Sequence, residues 1–275
     1  MKRLVLVVAA ALAGAGAALA AADDLDSAFQ SLQAAESKKD VAAVKKSAIE
    51  TYKLAREVVS SPAPEGGVEK ENWQHRVEYA KEIEVQVEYA LYATALAVQA
   101  ETAKLTDLIA ALEELNPKSK YLNEPDVLLV EAELARTRRQ YDRALAYANR
   151  LVAALNSQSK PESVSQADWD RRRTAALGRG YWIAGVVSGE KNQYAAADKN
   201  LRAALPLIKG NDAMMGPALF FLGVANYQLG KMTLSKSRVL EASRFSDDSA
   251  KIEGPYQQQA WKNAAAMRAE AATMR

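Results

Sequence analysis

The sequence predicts an all-α chain of stacked helical hairpins, and three observations carry that prediction. Proline and glycine are sparse after residue 22, while Ala, Leu, Lys, Glu, Gln and Arg, the strongest helix formers, dominate. No segment alternates β-branched and polar residues between turn signals, as a strand would. Apolar residues instead recur at helical spacing, in segments that come in pairs joined by short polar turns.

Taken in chain order, the first element is not part of the fold. Met1-Lys2-Arg3 is basic, Leu4 to about Ala13 is apolar, and Ala18-Leu19-Ala20 or Ala20-Ala21-Ala22 suits signal peptidase before the polar Asp23-Asp24. That order is a secretory signal peptide, residues 1–22, cleaved after Ala20 or Ala22. The mature chain is then exported, to a bacterial periplasm. Helices are expected over Leu25–Glu36 and Val41–Val59, making an N-terminal hairpin within 23–60. The stretch Ser60-Ser61-Pro62-Ala63-Pro64-Glu65-Gly66-Gly67 interrupts the pattern as a linker. From residue 69 to 275 the hairpins resume. Glu69–Gln99 pairs with Ala103–Leu115, which Asn116-Pro117 stops. Pro125–Arg138 pairs with Tyr141–Leu155. Gln166–Ser188, opened by a capping box of Ser165 and Asp168, pairs with Ala195–Ile208. Pro217–Leu229 pairs with Thr233–Arg244, and a last helix, about Tyr256–Met274, caps the chain within 255–275 behind Gly254-Pro255.

Charge and cysteine content exclude several function classes. Without Lys2 and Arg3 the 36 basic residues fall to 34, equal to the 34 acidic ones. Such a balance gives no electrostatic reason to expect nucleic acid or an anionic membrane as partner. There is no cysteine, so disulfides, thiolate zinc sites and Cys nucleophiles are absent and an apolar core must hold the fold. Tyr89 to Ala100, the most apolar later stretch, is too short to span a membrane, so no stable membrane insertion is expected.

The pairs repeat. Leu219 and Leu222-Gly223-Val224-Ala225-Asn226-Tyr227-Gln228-Leu229-Gly230-Lys231, followed by Ala242, set the pattern. Tyr181, Ala184-Gly185, Tyr194, Ala197, Leu201 and Ala204 fall at corresponding spacings one pair earlier. Leu128, Ala132, Ala135, Tyr141, Ala144 and Leu151 do so before that, and Tyr89, Ala93, Leu96, Ile109, Leu112 and Pro117 form a fainter copy. Small residues such as Gly223, Gly185 and Ala132 let paired helices approach, and large ones fill the space between them. The pattern resembles a tetratricopeptide repeat, most clearly over 125–247. It departs from it in spacings of about 39, 53 and 38 residues instead of a steady 34, in Ser235 where the repeat has Ala, and in Asn226 where it has an aromatic. The resemblance implies a right-handed α-solenoid of about four to five antiparallel helical hairpins with a C-terminal capping helix.

A catalytic or metal-binding constellation is not expected, and no cofactor is implied. His75 is the single histidine, which leaves a Ser-His-Asp triad or multi-histidine metal site without its parts. Glu82, Glu84 and Glu88, or Glu113-Glu114, read as solvated helix faces more simply than as a glycosidase acid pair. Gly178-Arg179-Gly180 with Gly185 and Gly189 lacks the preceding strand and the Gly-Lys-Ser/Thr of a phosphate loop, so close helix packing explains the glycines better. Arg171-Arg172-Arg173 stands beside Asp168 and Asp170 and reads as a solvated helix start.

The resemblance also implies where a ligand would sit, since the first helices of such hairpins line a concave binding groove. By helical phase that face holds Glu133 and Arg136, then Arg179, Trp182 and Val186, then Phe220, Val224, Tyr227 and Gln228. Aromatics beside Arg and Gln suit a peptide. The partner implied is a segment of another envelope protein, bound without a chemical step, and the oligomeric state stays open. Packing of Trp182 and Phe220 between hairpins is the competing reading of those two residues. For the function, the competing reading is a small-solute or glycan-fragment binder stacking its ligand on Trp73, Trp182 and Tyr181.

Overall fold

The computed structural model describes residues 24–274. The expected signal peptide, residues 1–22, lies outside them. Among the described residues there are eleven α-helices, one 3-10 turn and no strand. The helices are α1 (residues 24–37), α2 (Val41–Val59), α3 (Gly67–Ala97), α4 (Thr102–Leu115), α5 (Pro125–Thr137) and α6 (Tyr141–Ser157). They continue as α7 (Gln166–Glu190), α8 (Tyr194–Ala204), α9 (Asp212–Met232), α10 (Lys236–Ala250) and α11 (Gln257–Thr273). None is long and apolar enough to cross a membrane.

Helices α9 and α10 depart most from the bounds the sequence predicts. Helix α9 begins at Asp212, well before Pro217, because Asn211 caps it by accepting the Met214 N–H at 3.3 Å. Pro217 therefore lies inside the helix, close enough to its start that few backbone bonds are lost. Helix α10 begins at Lys236, since Ser235 is its N-cap, and it runs past Arg244 to Ala250. Three of its serines, Ser243, Ser246 and Ser249, are buried: Ser243 Oγ donates to the Leu240 carbonyl at 2.8 Å, and Ser249 Oγ to that of Gly216 at 2.9 Å.

The chain divides into two compact units, Met1–Leu122 and Asn123–Arg275. In the first, α2 packs on both α3 and α4, so the loop at 60–66, expected to separate an N-terminal hairpin from the rest, lies inside one unit. Val44, Ile83, Leu91, Leu108 and Leu112 are fully buried there. The buried Glu88 carboxylate accepts from Asn116 Nδ2 at 2.8 Å and Ser119 Oγ at 2.7 Å, fixing the chain where Asn116-Pro117 ends α4.

In the second unit each helix packs on the next, and α5 also touches α7, α7 touches α9 and α9 touches α11. The odd-numbered helices of this unit thus run in continuous contact, with α6, α8 and α10 each packed between two of them. The turns explain the regularity. Lys39, Arg139, Asn192 and Leu234 all have left-handed backbone, φ +55°, +57°, +59° and +52°. At each, the left-handed residue donates its N–H three residues back, and the next residue donates to the carbonyl five back: Gln140 to Ala135, Gln193 to Ser188, Ser235 to Gly230, and Asp40 to Ala35. This double bond pattern ends one helix, and the same residue that completes it is the N-cap of the following helix.

Identical turns put equivalent residues in equivalent surroundings. Five residues beyond each left-handed position stand Val44, Ala144, Ala197 and Val239, all fully buried. Nine beyond are Ala48, Ala148, Leu201 and Ser243, also buried, and the stripe repeats at twelve with Thr51, Leu151, Ala204 and Ser246. Small residues set how closely the paired helices approach. A Cβ on Gly185 would lie 2.5 Å from Leu201 Cγ, and one on Gly230 would lie 2.8 Å from Val239 Cγ2. The second helix sits where a methyl group would otherwise be.

Candidate functional site

The residues expected to form an inner face lie on α5, α7 and α9, and the structure joins most of them into a seam across the odd-numbered helices. Glu133 on α5 pairs with Arg179 on α7. The Arg136 guanidinium stands 4.9 Å over the Trp182 ring, a second tie between the same helices. Trp182 Nε1 donates to the Met214 carbonyl of α9 at 2.8 Å. Phe220 stacks on Tyr256, just before α11, with centroids 4.6 Å apart, and Phe221 meets both edge-on. Tyr227 donates its hydroxyl to Glu270 of α11, and Lys231 closes that group at 3.3 Å from Glu270.

Individual residues fare differently. Val186 is 2% exposed and belongs to the core around Leu201 and Leu222, so it presents nothing to a ligand. The periodicity put it one turn from Trp182, but α7 is enclosed on every side over 183–189. Trp182 is half-buried, packed against the cores on both sides of it. Val224 and Gln228 are half-buried on α9, and Arg179 is exposed.

Sequence reasoning missed Glu190, Tyr141 and Tyr256, which complete the polar end of the seam. Glu190 was expected beyond the end of its helix, and Tyr256 only at the start of the capping helix. Partial desolvation by its neighbours pushes the Glu190 carboxyl above the usual carboxylate range although the residue stays exposed, while the Arg136 and Arg139 cations and the Tyr141 hydroxyl pull it back. Tyr256 is raised too, by burial first and then by the Glu190 charge. The Arg136 Nε is buried with no hydrogen-bond partner, so this guanidinium is held by the indole face and by Glu190 at longer range. Beside this group, Arg139, Gln140, Tyr141, Asp142, Arg143 and Lys191 line an open cavity of about 440 Å³.

A second polar group is structural. Asn226, which stands where the repeat pattern has an aromatic, is fully buried. Its amide donates to Asp198 at 2.6 Å and to the Leu222 carbonyl at 3.0 Å, and its oxygen accepts from Arg202 at 3.2 Å and Arg238 at 3.0 Å. Arg202 and Arg238 also pair with Asp198, at 2.7 and 3.0 Å. Every polar atom of Asn226 is used, and α8, α9 and α10 are locked in register. Among the described residues no group of three or more His, Asp or Glu is placed to hold a metal ion. No family model, curated protein or solved structure gives a significant match to this chain.

Proposed function

We propose that this chain is a non-enzymatic binding module, in which α5 to α11 act as a tetratricopeptide-like α-solenoid and hold a segment of another protein along the odd-numbered helices. The observation that carries the reading is the continuous contact of α5, α7, α9 and α11, which offers one long surface drawn from four helices instead of a closed pocket. The half-buried Arg136, Trp182, Phe220, Tyr227 and Gln228 lie along it. Aromatic and Arg side chains already immobilised by packing lose little entropy on binding, which suits them as anchors. The N-terminal signal pattern supports a partner in the cell envelope.

Site-specific photocrosslinking tests this. A photoreactive side chain at Gln228 should trap a discrete protein in envelope extracts, and one at Lys199, exposed on α8, should not. Adducts from Lys199 alone, or from neither position, would reject the groove.

A further inference from the structure

We infer that the occupant of this surface is acidic, and that the end of this surface formed by the α5/α6 turn and the last turn of α7 receives its carboxylates. The inference rests on the groove reading and goes beyond it by naming the chemistry recognised.

Three observations meet there. The first is an unsatisfied donor: Arg136 Nε is buried without an acceptor, while its guanidinium is fixed over Trp182 at 4.9 Å. A buried donor left unpaired is costly, and an incoming carboxylate oxygen would relieve that cost. The second is the balance of charge. Arg139, Arg143 and Lys191 line the cavity with Asp142 as its only acid, and Arg136 and Arg139 both act on Glu190. Lys191 is paired with Asp142, Arg143 lies 3.8 Å from Glu131, and Glu190 feels the charges of both Arg136 and Arg139 without an ion pair to either. Two cations thus divide one acid, which leaves attraction for a further negative group. The third is room. The open cavity of about 440 Å³ has Arg139 and Tyr141 in its wall, two of the three residues that act on Glu190, so the Arg139 side of the arginine pair opens onto it. The cavity is large enough for an acidic side chain and its backbone. Arginine suits the task because its planar fork meets a carboxylate with two parallel N–H donors.

The test compares two capped peptides, one of glutamate and serine and its glutamine counterpart, by calorimetry on the full chain. The glutamate peptide should bind at least about tenfold more tightly, with the preference fading at high salt. Arg136→Gln and Arg139→Gln should each reduce that preference by about tenfold, the loss expected for one charge-assisted contact, with the melting temperature checking that each variant is folded. Equal affinity for the two peptides, no binding of the glutamate peptide, or variants that keep the full preference would overturn the inference. So would binding of inorganic phosphate that the glutamate peptide fails to displace. A partner trapped at Gln228 whose trapped segment lacks acidic residues would sink the acidic preference and leave the groove standing; no trapped partner together with selective glutamate binding would do the reverse.

Discussion

Gly185→Ala is the most direct test of how the hairpins pack. The new methyl carbon would sit 2.5 Å from Leu201 Cγ, 2.6 Å from its Cδ2 and 3.1 Å from the Leu201 backbone nitrogen. Carbon contacts relax only near ~3.5–4 Å, so the methyl cannot be accommodated by turning a side-chain tip; α7 and α8 must separate. Overpacking of this kind costs about 1–3 kcal/mol, and the involvement of backbone argues for the upper part of that range. Against it stands the helix-propensity gain of Ala over Gly, about 1 kcal/mol. The net expectation is a loss of about 1–2 kcal/mol, or a melting temperature lower by roughly 2–8 °C for a chain of this size. Gly180→Ala is the matched control. Its nearest neighbours are Val152 Cγ2 at 3.1 Å and Leu151 Cδ2 at 3.2 Å, both side-chain ends that can shift, so propensity and crowding should nearly cancel. Thermal melts followed by circular dichroism read both variants against the parent. If Gly185→Ala melts at or above the parent while Gly180→Ala melts below it, close approach through Gly185 is not what fixes the α7/α8 hairpin.

Three further outcomes are expected. Asn226→Leu should cost about 2–4 kcal/mol in urea unfolding, because it removes the buried amide that ties the Asp198, Arg202 and Arg238 ion pairs to α9 and leaves Asp198 and Arg238, both half-buried, short of a hydrogen-bond partner; an unchanged midpoint would mean the network is ornamental. Glu190→Gln should raise the melting temperature at neutral pH. The folded pKa of Glu190 lies above its unfolded value, so ionisation opposes folding as pH rises through that window, and the gain should vanish at pH below the ordinary carboxylate range; an advantage that persists there would refute the assignment. Leu234→Asn should stabilise by about 0.5–1 kcal/mol, since Leu234 is 82% exposed in left-handed backbone that Asn adopts more readily, as Asn192 does at the equivalent turn; a lower melting temperature would contradict the strain argument.

The amino-acid order by itself determined that the chain is helical and where most helices lie, because propensity, capping residues and apolar spacing are local properties. It also marked Gly185 and Gly223 as points of close approach, since a missing side chain is visible without coordinates. Helix α10 shows the limit: it was expected to end at Arg244, yet it runs to Ala250, with Ser246 and Ser249 buried against neighbouring helices and Ser249 bonded to the Gly216 carbonyl. The site shows it more clearly. Trp182, Arg136 and Glu133 were legible as one face, but that Trp182 would give its N–H to Met214, or that Val186 would be enclosed, depends on neighbours thirty residues away. Glu190, Tyr141 and Tyr256 carry no sequence signal of association. They meet because three identical left-handed turns, at Arg139, Asn192 and Leu234, bring α5, α7 and α9 side by side, and contact between residues distant in the chain is decided by packing, which no local pattern encodes.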